Sequence, residues 1–94
     1  MGYSKSDDKT VRKIGKIVLT EQPKSVLHLE LKQYKGGDIK LAMVFEGEQQ
    51  WGKKEGEPYF TTKIPRLSWE EVRKLKNELP KLLEDAYIEM DNLA

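Results

Sequence analysis

The feature that most constrains the fold is a pair of alternating stretches joined by two glycines. In residues 26–34, Leu27, Leu29 and Leu31 alternate with His28, Glu30, Lys32 and Tyr34. In residues 38–46, Ile39, Leu41, Met43 and Phe45 alternate with Lys40, Ala42 and Val44. A period of two belongs to the β-strand, whose successive side chains leave opposite faces, so each stretch reads as a strand with one core face and one wet face. Between them Gly36-Gly37, flanked by Lys35 and Asp38, offers the positive-φ residues that a tight hairpin needs.

Two more strands extend this hairpin. Residues 14–19 (Ile14, Gly15, Lys16, Ile17, Val18, Leu19) read as the first, closed by the proline-containing turn Glu21-Gln22-Pro23-Lys24-Ser25. From residue 47 to residue 58, Gly, Gln, Lys and Glu surround a lone Trp51, the composition of a long, mobile connection. Residues 59–64 resume a strand, with Phe60, Thr62 and Ile64 expected on the core face and Tyr59, Thr61 and Lys63 on the wet one.

A helix comes last. Ser68-Trp69-Glu70-Glu71 is a capping box, in which the Ser68 hydroxyl accepts from the Glu71 backbone N–H and the Glu71 carboxylate reaches back. Trp69, Val72, Leu75, Leu79, Leu82, Leu83 and Ala86 follow helical spacing, and this stripe is expected to lie over the leucine face of the sheet. Pro80 removes a backbone hydrogen bond, so the helix is expected to kink there or to split into two, and to fray beyond Met90. The fold predicted is α+β: a curved four-stranded antiparallel sheet followed by a C-terminal helix, with residues 1–10 a flexible tail and residues 11–94 one domain.

Composition narrows the function. Ninety-four residues suffice for one domain, and 37% hydrophobic residues gathered into strong runs argue for folding despite 35% charged residues. A core this small is thin, so burial at a dimer interface would add stability. There is no cysteine, which excludes thiolate metal sites and favours an intracellular location, cytoplasm or nucleus. No apolar run approaches the roughly 20 residues needed to span a bilayer, so no membrane association is expected. His28 is the single histidine, the paired acids Glu70-Glu71 and Glu84-Asp85 fall on a helix, and the serines at 4, 6, 25 and 68 fall in a tail, a turn and a cap. Nothing there builds a nucleophile–base pair, and Gly36-Gly37 opens no helix onto a phosphate. Neither an enzyme, a cofactor, a metal nor a small-molecule substrate is expected.

The wet face is the informative one. Lys16, His28, Lys32, Tyr34, Lys40, Tyr59 and Lys63 can emerge on it together, with Lys35 at the hairpin and Trp51, Lys53 and Lys54 in the long connection. Ammonium groups track phosphates and flat rings stack on splayed bases, which is what single-stranded nucleic acid requires. The plainer reading is that any half-exposed strand carries Lys, Tyr and Thr. Charge is split in the same sense: residues 1–66 hold 13 Lys/Arg against 9 Asp/Glu, and residues 67–94 hold 4 against 7, a basic sheet half and an acidic helix.

Ile14-Gly15-Lys16, Tyr34-Lys35-Gly36-Gly37 and the run from Lys63 through Ile64-Pro65-Arg66-Leu67 to Ser68-Trp69-Glu70-Glu71 with Leu75 and Leu79 resemble the single-stranded-DNA-binding transcriptional coactivator (positive cofactor) family and its prokaryotic and phage relatives. The resemblance covers residues 13–83. It implies a homodimer with helices at the interface and sheets that grip single strands, DNA in preference to RNA, with little sequence specificity, in transcription or DNA metabolism. Lys16, Tyr34 and Lys35, with Lys32 and Lys40 by position, are the residues it implicates. Val44-Phe45-Glu46 departs from the family, which favours a basic residue and an aromatic there. The Pur-type nucleic-acid-binding repeat has the same element order. The rival function is a dimeric protein-interaction scaffold.

Overall fold

The computed structural model describes residues 8–50 and 52–93. Strands β1 (Asp8–Thr20), β2 (Ser25–Tyr34), β3 (Ile39–Glu48) and β4 (Pro58–Thr61) form one open antiparallel sheet in the order β1-β2-β3-β4, and helix α1 (Trp69–Leu93) follows. The fold is α+β, as the sequence predicts.

Register explains the core. Leu27 stands opposite Ile17 and Phe45, and Leu29 opposite Gly15 and Met43. Directly opposed residues share a face, so the leucines of β2 gather the apolar residues of its neighbours. Ile17, Leu19, Leu27, Leu29 and Phe45 are at most 4% exposed. Leu75, Leu79 and Leu82 of α1 pack on this cluster, and Ala86 is buried. Gly15 lets the helix come close: a Cβ there would lie 2.7 Å from Leu82 Cδ2.

Polar ties set the helix on β1. The capping box forms as read, with Glu71 N–H donating to Ser68 Oγ at 3.2 Å and Ser68 N–H donating to Glu71 Oε1 at 2.8 Å. The Lys74 ammonium donates to the Val18 carbonyl at 2.9 Å, and Arg12 pairs with Glu89 at 2.8 Å.

Several expectations are corrected. β1 begins at Asp8, inside the segment read as a tail, because β2 extends far enough to pair Asp8, Lys9 and Thr10 with Tyr34, Gln33 and Lys32. At the β2–β3 turn the positive φ values fall on Lys35 (48°) and Gly36 (74°), one residue earlier than read. Gly37 N–H closes the turn on the Tyr34 carbonyl at 2.8 Å, and positive φ at both central residues is the type I′ pattern that matches strand twist. The long connection continues the β3–β4 hairpin through backbone bonds from Gln49 N–H to Glu57 O and from Gly56 N–H to Gln49 O, each 2.9 Å. α1 does not split at Pro80 or end at Met90 but continues as one helix to Leu93; core contacts on both sides of the proline, from Leu75 and Leu79 and from Leu82, offset the lost bond.

The apolar stripe of α1 divides in two. Leu75, Leu79, Leu82 and Ala86, spaced four, three and four residues apart, face the sheet. Trp69, Val72, Leu83 and Tyr87 are exposed, Trp69 and Tyr87 by 72% and 73%. A helix on a flat sheet buries only the arc beneath it, so residues about a quarter turn away remain outside. No helix among the described residues is long and apolar enough to cross a membrane.

Candidate nucleic-acid interface

The sheet face turned away from α1 carries no second layer among the described residues, and the molecule measures 17 Å along its shortest principal axis. Its side chains come in cross-strand rows. Asp8 stands opposite Tyr34; Thr10, Lys32 and Lys40 form the next row, then Lys13, Glu30 and Ala42, then Lys16, His28 and Val44, and last Val18, Val26, Glu46 and Phe60.

Two bulges in β1 make this face more basic than strict alternation allows. Thr10, Lys13 and Lys16 lie three residues apart, a spacing that alternation would scatter over both faces. The register shifts between Thr10 and Arg12 and between Lys13 and Gly15 absorb one residue each, so all three share the face with β2's polar residues. Lys32 stands directly opposite Lys40, a like-charge pair that costs stability unless an anion lies nearby; Asp8 at 3.9 Å and Glu30 at 3.8 Å moderate Lys32.

The far end of the face is knit together. Glu46, buried to 8% exposure, accepts from His28 Nε2 at 2.8 Å and pairs with the Lys24 ammonium at 3.1 Å. The His28 hydrogen bond first, and then Lys24, hold the Glu46 carboxyl below its ordinary value of 4.5, against the opposing effect of burial. Phe60 leans on His28 with ring centroids 6.3 Å apart. Asp8, Lys32, Ala42, Val44, Phe60, Thr61 and Thr62, from all four strands and the residue after β4, line one hollow of about 450 Å³. Strands β1 and β4 stand about 14 Å apart in a flat sheet, so a hollow they share marks this face as concave.

The expected site residues are only partly brought together. Lys16, Lys32, Tyr34 and Lys40 share the open face, and Lys35 sits at the adjoining turn with its ammonium 5.5 Å from the Tyr34 ring centroid. Lys53 and Lys54 lie at the other end of the ten-residue β3, about 30 Å away. Lys63 follows β4, exposed, its N–H bonded to Thr61 Oγ1. Trp51 lies outside the described residues. Tyr59 is on the opposite face from the one expected: it pairs with Gly47, its ring covers the glycine at 2.6 Å from a would-be Cβ, and it meets Phe45 at 6.4 Å. The cause is register, since Phe45 opposite Thr61 and Glu46 opposite Phe60 turn β4 over relative to its assumed alternation.

Phe60 and Lys13 are the residues that sequence reasoning missed. For Lys13 a signal existed, because a glycine inside a strand, here Gly15, marks a bulge. For Phe60 none did: two adjacent aromatics and two threonines give no alternation to read. Compared with protein-family models, curated proteins and solved structures, the chain matches none.

Proposed function

We propose that this protein binds single-stranded nucleic acid, DNA in preference to RNA and with little sequence specificity, on the open concave face of its sheet. The observation that carries the reading is the shared display of Lys13, Lys16, Lys32 and Lys40 with Phe60, His28 and Tyr34 on a face that no other described element covers. Cations spaced along a groove hold phosphates, and rings among them accept bases of any identity. The face is not uniformly basic. Lys24 pairs with Glu46, and Lys32 lies between Asp8 and Glu30 and offsets one of these two carboxylates, so Lys13, Lys16 and Lys40 outweigh the single acid that remains.

The exposed stripe of α1 supports self-association on the opposite side of the molecule. Trp69, Val72, Leu83 and Tyr87 form an apolar surface on a domain whose own core is thin. A second copy presenting the same stripe would cover it and leave both sheets facing outward.

Polarisation of labelled oligo-dT at low salt tests the first part. Binding is expected, with log affinity falling with log salt by about 0.7 per neutralised phosphate. Lys32→Glu with Lys35→Glu is expected to abolish it while circular dichroism stays native. No binding by the native protein ends the reading and leaves the scaffold role. For the second part, sedimentation should show a dimer that Leu83→Glu with Tyr87→Glu converts to monomer.

A further inference from the structure

We infer that the hollow beside Phe60 seats a single unstacked nucleobase, with the Phe60 ring as its stacking platform; this rests on the nucleic-acid reading above. Phe60 is 62% exposed on a sheet face, held on one side by His28 at 6.3 Å and open on the other to the hollow. A large ring so presented gains nothing for the fold from its outer surface, while His28 backs it on one side and leaves the other face to a ligand.

The rest of the lining suits a base in particular. Ala42 and Val44 are short apolar side chains from alternate positions of β3, and they leave a flat floor beside the ring. Asp8 and Thr62 add acceptors at the rim. Every nucleobase offers at least one N–H on its pairing edge, so such acceptors favour a base without choosing among the four. Lys32, also on the rim, stands opposite Lys40, which puts cationic charge where the phosphate of the same nucleotide would lie. The Asp8 carboxylate lies 3.9 Å from the Lys32 ammonium and tempers it, so Lys40 is the cation left for the backbone and the arrangement orients a nucleotide with its base towards Phe60 and its backbone towards Lys40. The platform role expected of Tyr59 thereby falls to Phe60.

Two strands of equal length separate the base from the backbone: oligo-dT and a wholly abasic oligonucleotide with the same phosphates. Phe60→Ala is expected to weaken oligo-dT binding by about 5- to 100-fold and to leave abasic binding and the salt slope unchanged, with Phe60→Tyr near the native value. A single 2-aminopurine in the dT strand should be quenched by the native protein and less by Phe60→Ala. Equal affinity of native and Phe60→Ala for oligo-dT overturns the inference, as does an equal loss on both strands. An oligomer that Phe60→Ala dissociates without changing dT binding makes the hollow an interface between copies and overturns it too. Failure of the native protein to bind either strand instead defeats the nucleic-acid reading itself.

Discussion

The two faces of this sheet are built from alternate residues of the same strands, yet one is a core and the other is left open. On the helix side, Leu27, Leu29 and Ile17 are sealed by a single layer of α1 side chains. On the open side, Val26 is equally buried, but its row ends in the Lys24–Glu46–His28 network, and beyond it the face runs out into separate lysines. The difference teaches that burial on the helix side follows from the layer of α1 above the strands, whereas on the open side it is confined to the row where Val26 meets the polar network. It also separates the residues that hold the fold from those free to meet a ligand.

Substitutions on either side can break or sharpen that contrast. The largest effect belongs to Leu29→Ala, expected to cost about 2–5 kcal/mol in chemical denaturation, much of the stability of a domain this size. Gly15→Val comes next, at about 1–3 kcal/mol, because its side chain would enter the space of Leu82; a neutral result would mean the helix does not press on β1. Ser68→Ala removes the acceptor for Glu71 N–H and should lower the melting stability by about 1 kcal/mol. Smallest at neutral pH is Lys13→Gln, expected within about 0.5 kcal/mol in stability while reducing the salt slope of oligo-dT binding by about 0.7. A large stability loss there would erase the distinction between the faces.

The acid side offers a further check on the polar network. Glu46 has a lowered folded-state pKa, so its contribution is present above the unfolded value of 4.5 and is lost as pH falls through the lower, folded one. Stability of the native protein should therefore fall more steeply between about pH 5 and about pH 2 than that of Glu46→Gln. Equal slopes would show that the network adds nothing to folding.

The hairpin, the capping box and the leucine face were legible because each depends on residues close in sequence: Leu27 to Phe45 across one turn, and Ser68 with Glu71. What escaped depends on partners far along the chain. The face of Phe60 is set by β3 through the Glu46 pairing, and four residues of strand carry too little pattern to declare it. The adjacent Leu82 and Leu83 both fit an apolar stripe, and only the position of the sheet decides that the first is partly buried and the second exposed. The lysine row of β1 was hidden by its bulges, which break the very alternation used to find strands.

Those bulges have a second consequence. β1 is an edge strand of thirteen residues, long enough that a regular version would offer a template on which further copies could add strand by strand. Its three breaks in register spoil the even spacing a new strand would need, and Lys9, Arg12, Lys13 and Lys16 repel one that tried to form. At the other edge β4 has four residues and begins at Pro58. Both margins are thus poor templates for runaway strand addition, and the open face of the sheet is bounded by edges that do not invite another strand.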